Sequence, residues 1–180
     1  MLVRRAVNGN LGLIPAAKKL QDELLTPSAP AVTFGDSGAL DAERKTVAAF
    51  KKVVLMVLGT AMQTYGEKLS DQQEVLSYIA DIIAETYAAE SSVLRALAAN
   101  VGANSKDADL HETAARVFVN DSGQRLEAAA RSALAGMSDG DTLRTLLAAL
   151  RRVLKLTPVN TIALRRKLAD AAIQKGGYIL

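Results

Sequence analysis

The chain has 180 residues, of which 49% are hydrophobic and only 4% aromatic, with no Trp, no Cys and a formal net charge of +3. That length and apolar content predict one compact domain with a sizeable core. The lack of cysteine excludes disulfides, thiolate metal sites and thiol nucleophiles, and the dominance of Ala, Leu and Val favours close-set helices over sheet.

Residues 1–10, MLVRRAVNGN, lack the long apolar stretch and small-residue cleavage site of a signal peptide and read as the start of a fragment or domain. Residues 1–40 carry Gly9, Gly12, Pro15, Pro27, Pro30, Gly35 and Gly38, which predicts a connector. Within it, Pro15 followed by AAKKLQDELL predicts a short amphipathic helix, with Leu20 and Leu24 on its apolar side and a stop before Pro27. Residues 41–180 are the expected bundle domain.

The first long helix is expected from Asp41, as its cap, through Phe50, Val54, Val57, Leu58 and Met62 to a stop at Gly66. Its longest largely apolar run, Val53 to Met62, falls short of the roughly 20 residues a bilayer span needs, so no membrane-spanning segment is expected. The second helix opens where Ser70 and Gln73 have the spacing to cap each other's free amides. Leu76, Ile79, Ile83, Tyr87 and Leu94 are its predicted buried stripe, with Glu74, Ser77, Asp81, Glu85 and Ser92 on the wet side. The third runs from Ser105, after the GANS turn, through Leu110, Ala114, Val117, Phe118, Leu126 and Ala130 to Gly136, with Gly123 as a weak point in its middle. A fourth spans Asp141 to Leu156, stopped by Pro158, and a fifth Asn160 to Lys175, closed by Gly176 and Gly177. With neither a period-two pattern nor a repeat at solenoid spacing, the predicted fold is all-α, an antiparallel bundle of four or five helices.

Residues able to carry chemistry are sparse. His111 is the sole histidine; beside Glu112 it makes no metal pair, because adjacent helical positions point about 100° apart, and it reads as a surface residue. Asp81 and Glu85 read as a solvent-washed carboxylate pair. Gly35-Asp36-Ser37-Gly38 and Lys175-Gly176-Gly177 lack the Lys and Ser or Thr that complete a phosphate loop, and read as a turn and a helix end. Met56 and Met62 are assigned to packing. No catalytic, cofactor-binding or metal residue is assigned.

Charge is polarised along the chain. From Glu67 to Glu90 six acids face the single base Lys68. From Thr142 to Ala169 Arg144, Arg151, Arg152, Lys155, Arg165, Arg166 and Lys167 stand with no acid between them. These seven are the candidate interaction patch. The first reading is a solvated face whose stems cover apolar neighbours, or one paired with the acidic second helix. Anionic lipid or an acidic protein face comes next, and nucleic acid last, because stacking aromatics are missing there.

The segment from Phe50 to Leu97 resembles the first two helices of the extra C-terminal domain of very-long-chain-type acyl-CoA dehydrogenases, specifically bacterial members. The resemblance lies in a long helix ending at a Gly turn, a Gln-Glu pair, the block Leu76-Ser77-Tyr78-Ile79-Ala80-Asp81, the pair Tyr87-Ala88, and Ser91 to Arg95 as Ser-x-x-x-Arg. The basic helix Leu164 to Lys175, Gly176-Gly177 and the tail Tyr178-Ile179-Leu180 match in kind. The stretch from Met1 to Leu25 resembles the part that leaves the catalytic core. The resemblance covers the whole chain but only the last third or so of such an enzyme, and the family's catalytic Tyr-Glu-Gly-Thr motif does not occur here.

It implies a non-catalytic domain of an FAD-dependent enzyme of fatty acid β-oxidation, with FAD bound by the parent enzyme and not by these residues. The implied partners are the catalytic core of the same protein and a second copy in a homodimer. Weak membrane-surface contact through residues 1–40 is a further implication, with no nucleic acid; the location is cytoplasmic or peripheral to the inner membrane. The alternative is a peripheral lipid-binding bundle using the basic 142–169 segment.

Overall fold

A computed structural model describes residues 12, 15–17, 19–20, 38–102 and 105–179. The expected positions of Leu24, the Pro27 stop, the turn at 35–37, Asn104 and the terminal Leu180 lie outside them. From residue 38 on, the described residues form five α-helices, and no described residue lies in a strand: α1 (Asp41–Tyr65), α2 (Gln73–Gly102), α3 (Ser105–Met137), α4 (Gly140–Val153) and α5 (Thr161–Lys175), with a 3-10 turn at Gly66–Asp71 between the first two.

Three long helices make the centre. Lys51 of α1 reaches Glu90 of α2, and Glu85 and Asn100 of α2 reach Arg125 and Glu112 of α3, so α2 runs antiparallel to both neighbours. Glu43 near Arg116 and Tyr65 donating to the Gly136 carbonyl set α1 parallel to α3. The core forms where their inner faces meet, around Phe50, Val53, Val57, Ile82, Leu126 and Leu134. Three threonines inside it, Thr60, Thr86 and Thr113, donate to the carbonyls four residues earlier and leave no hydroxyl orphaned.

By length and composition, the stretch Asp41–Asp71 is also apolar enough to cross a membrane, longer than the run seen in the sequence. Val47, Phe50, Val53, Val57 and Ala61 are buried on it, as befits a core helix. Leu40, fully buried, precedes α1 in the left-handed region (φ 61°), so the chain enters the bundle through a strained backbone held by burial.

Several helix ends differ from expectation. Asp41 is inside α1, not its cap, and pairs with Lys45 at 2.6 Å. Ser70 and Gln73 do not cap each other's amides: a 3-10 turn occupies the junction, and the Gln73 amide donates to the Ser70 carbonyl at 2.9 Å. α4 stops at Val153, three residues before the expected Leu156, which turns back onto α3. Gly66 and Gly176 do close α1 and α5, both at positive φ, and the Asn160 side chain caps α5 by accepting from the Ala163 amide.

Gly123 does not weaken α3, which is continuous through it. It admits close neighbours: a Cβ there would sit 2.8 Å from a Leu156 methyl and 3.3 Å from the Phe50 ring. Residues 15–17 and 19–20 are helical, and Leu20 is buried in the core. A Cβ on Gly59 would meet that of Ala17 at 2.8 Å, so the glycine lets this segment lie against α1.

Candidate interaction surfaces

Of the seven cations of the expected patch, Arg152 is exposed near the end of α4 and is not without a partner, and the other six divide into two kinds. Arg144 pairs with Asp141 at 2.8 Å, Arg165 with Asp121, and Lys167 with Asp109 at 2.5 Å. The latter two pairs fasten α5 to α3, the helix on which it packs. The acidic α2 is not their partner; its Glu85 and Glu90 serve Arg125 and Lys51 instead. Arg151, Lys155 and Arg166 are exposed with no ion-pair partner among the described residues. α5 buries no residue fully and leaves Ile162, Ile173 and, beyond its end, Tyr178 in solvent.

Glu85 departs from its expected place on a solvent-washed face. Its carboxylate takes two hydrogen bonds from Arg125, Nε to Oε1 at 2.6 Å and Nη2 to Oε2 at 2.9 Å. The same Nη2 reaches the buried Ser122 hydroxyl at 3.3 Å, and the guanidinium stands 5.8 Å from the Phe118 ring centroid. A bidentate pair so placed fixes the register of α2 on α3.

Arg125's hydrogen bonds hold the Glu85 carboxyl below the ordinary value of 4.5, against burial, which pushes it up; Ser122 and the charge of Arg125 add to the lowering. A depressed carboxylate contributes stability above its unfolded value, and that contribution fades as pH falls through the folded one. The stability difference between the native chain and Glu85→Gln is therefore expected to be on the order of 1 kcal/mol or less near neutrality, since Arg125 is half exposed, and to vanish well below pH 4.5. Urea unfolding at several pH values measures it; a difference that grows on acidification contradicts this role.

His111 lies half-buried on α3, and among the described residues no three His, Asp or Glu side chains come together to hold a metal. Met56 and Met62 pack in and against the core, as expected.

The largest departure concerns α2. Its buried face is Val75, Ile79, Ile82, Thr86, Ala89, Val93 and Ala96. Of the expected stripe only Ile79 is fully inside; Leu76 is half-buried, while Ile83 is 40%, Tyr87 73% and Leu94 59% exposed. Tyr87 and Leu94 stand outside, while the smaller Ala89, Val93 and Ala96 pack inside. Two concave places lie beside α1. One, of about 210 Å³, lies between α1 and α2 beside Lys51, Glu90 and Leu94. The other, of about 130 Å³, is apolar and lies under Ala17 and Leu20 beside Gly59 and Leu146.

Comparison with known proteins places these features. The family described as acyl-CoA dehydrogenase, C-terminal domain, matches residues 49–152. A probable acyl-CoA dehydrogenase of Bacillus subtilis (strain 168) is 35% identical over 178 residues, which are 98% of this chain and 29% of that protein. The crystal structure of an acyl-CoA dehydrogenase complexed with FAD from Bacillus anthracis superposes with a TM-score of 0.90 at 34% identity, covering 99% of this chain and 30% of that one. The chain thus spans under a third of the length of the relatives it matches.

Proposed function

The chain belongs to the family of acyl-CoA dehydrogenase C-terminal domains, and from that premise we propose that it is the non-catalytic helical module of an FAD-dependent dehydrogenase of the very-long-chain type, acting in fatty acid β-oxidation. Its work in that enzyme is mechanical: it packs against the flavin-bearing core and contributes to a homodimer. The observation that carries this reading is the fold match over nearly the whole chain, joined to the large apolar side chains Ile83, Tyr87 and Leu94 left exposed on the outer face of α2.

The flavin is assigned to the part of the enzyme beyond these residues. The two cavities flanking α1, about 210 and 130 Å³, fall below the roughly 300 Å³ at which sites for drug-sized ligands begin, and neither is lined like a dinucleotide cradle. What the chain itself supplies is rigid surface, fixed by the α2–α3 ion pair and the shared core.

The isolated chain is expected to carry no flavin absorbance and no dehydrogenase activity, and to co-elute with the separately expressed flavin-bearing core of the same enzyme. Gel filtration of the mixture checks this. A chain that elutes alone at tenfold excess of the core overturns the reading.

A further inference from the structure

We propose that the apolar cavity of about 130 Å³ between α1, α4 and the helical segment of Ala17 and Leu20 is a binding site for a compact non-polar group of about six carbon atoms, such as a single aromatic ring. The site is made by residues of this chain alone, so it does not depend on the dehydrogenase reading.

The hollow is a consequence of side-chain size. Each of the three elements places a residue with little or no side chain beside it: Ala17, Gly59 of α1 and Ala149 of α4. A Cβ on Gly59 would lie 2.8 Å from that of Ala17, so the segment rests directly on the backbone of α1 and roofs the space. Leu20, Leu55, Met56 and Leu146 form the walls, and Leu20 and Met56 are buried. Interiors are close-packed, so the lining of a hollow this large forgoes dispersion contacts that an apolar occupant supplies.

The chemistry of the lining selects that occupant. Its two threonine hydroxyls are already engaged: Thr60 donates to the Met56 carbonyl and Thr145 to the Asp141 carbonyl, each at 2.9 Å. Gln63 is exposed and has an interaction of its own. Among the described residues no charged side chain lines the cavity. A buried water needs roughly two to four polar partners, whereas an apolar cavity of about 150 Å³ stays dry and takes up benzene. The space is too small for drug-sized ligands. A ring seated in it touches all three elements at once and ties α4 and the Ala17–Leu20 segment to α1.

Titration of the chain with benzene, followed by methyl NMR, tests the site, with phenol as the polar counterpart of similar size. Benzene should shift the methyl signals of Leu20, Met56 and Leu146 with a Kd on the order of 1 mM, and leave those of Ile82 and Leu134 in the central core in place. Phenol should bind about tenfold more weakly, because its hydroxyl enters without a partner. At benzene about tenfold above its Kd, amides of α4 should exchange with solvent about tenfold more slowly, since α4 must release the ligand to open. Ala149→Leu, which fills the hollow from α4, should keep the native circular dichroism and lose the benzene shifts. If that variant does not fold, the contrast between benzene and phenol in the native chain still decides. Shifts confined to the walls and not matched by phenol support the site. Methyls that stay still up to the solubility limit of benzene, that move equally with phenol, or that move throughout the core overturn it, as does a folded Ala149→Leu that still takes benzene at the same walls.

Discussion

Truncating Phe50 to alanine should cost about 3–5 kcal/mol of unfolding free energy, the largest loss expected of any single change in this chain. The ring is fully buried near the midpoint of α1 and stands opposite Gly123 of α3, 3.3 Å from where a Cβ on that glycine would sit. Two terms add. Removing the ring forfeits the transfer of its apolar surface out of water, and the glycine opposite has no side chain with which to fill the space left behind. Leu156, which closes the same spot from the α4–α5 connection, is half-buried and could relax inward; that would put the loss at the lower end of the range. For a chain of this size the loss corresponds to a fall in Tm of about 6–20 °C. Thermal unfolding followed by circular dichroism measures it. A Tm within about 2 °C of the native value would mean that the α1–α3 contact is not the centre of the fold.

The second large effect is expected at Leu150. It is the one fully buried residue of α4, which otherwise rests on half-buried Leu143, Leu146, Leu147 and Val153. A helix of 14 residues is marginal by itself in water, so its docked leucines, and not its intrinsic propensity, keep it formed. Leu150→Ala is expected to cost about 2–5 kcal/mol, felt first as opening of α4. Hydrogen exchange should show amides of Thr145–Val153 losing protection while those of α1 to α3 keep theirs. Arg151→Ala, one residue away but exposed, serves as the control and should stay within about 0.5 kcal/mol of native. Equal loss of protection across all helices would show that α4 belongs to the same cooperative unit as the central three.

Much of the architecture was legible because helix boundaries are local chemistry. Gly66 and Gly176 were readable as stops because a left-handed residue after a helix is a position glycine fills without strain, and Asn160 as a start because its short amide reaches back to a free backbone donor. The boundary at Ser70 and Gln73 lies where the spacing predicts it, but a tight turn and not a reciprocal cap forms it. The same residues that could form a reciprocal cap are equally able to sit in a tight 3-10 turn, and the burial of Leu69 beneath that turn decides between them.

The faces of α2 were not legible in the same way. Its apolar residues are abundant enough to draw two stripes about 120° apart, one through Ile82, Ala89 and Val93 and one through Ile83, Tyr87 and Leu94. Judged by bulk alone, the stripe through Tyr87 is the better candidate for the core. Only packing against α1 and α3 at close range, which the smaller residues permit, shows that the stripe through Ala89 is inside. Likewise Glu85 has nothing in its own helix to distinguish it from Asp81. Its role comes from Arg125, 40 residues away, which the antiparallel return of α3 brings alongside.

The linear order of residues was therefore enough to predict an all-helical fold and its stops at Gly66 and Gly176, since glycine stops and apolar periodicity act over a few residues, while the kinship was carried by the motifs between Phe50 and Leu97. Which stripe of α2 faces inward, which carboxylate is clamped, and why Gly123 is a point of close contact and not of weakness depend on the meeting of segments distant in the chain. Those outcomes follow from the steric fit of α1, α2 and α3 around Phe50, a quantity that exists only once the helices are side by side.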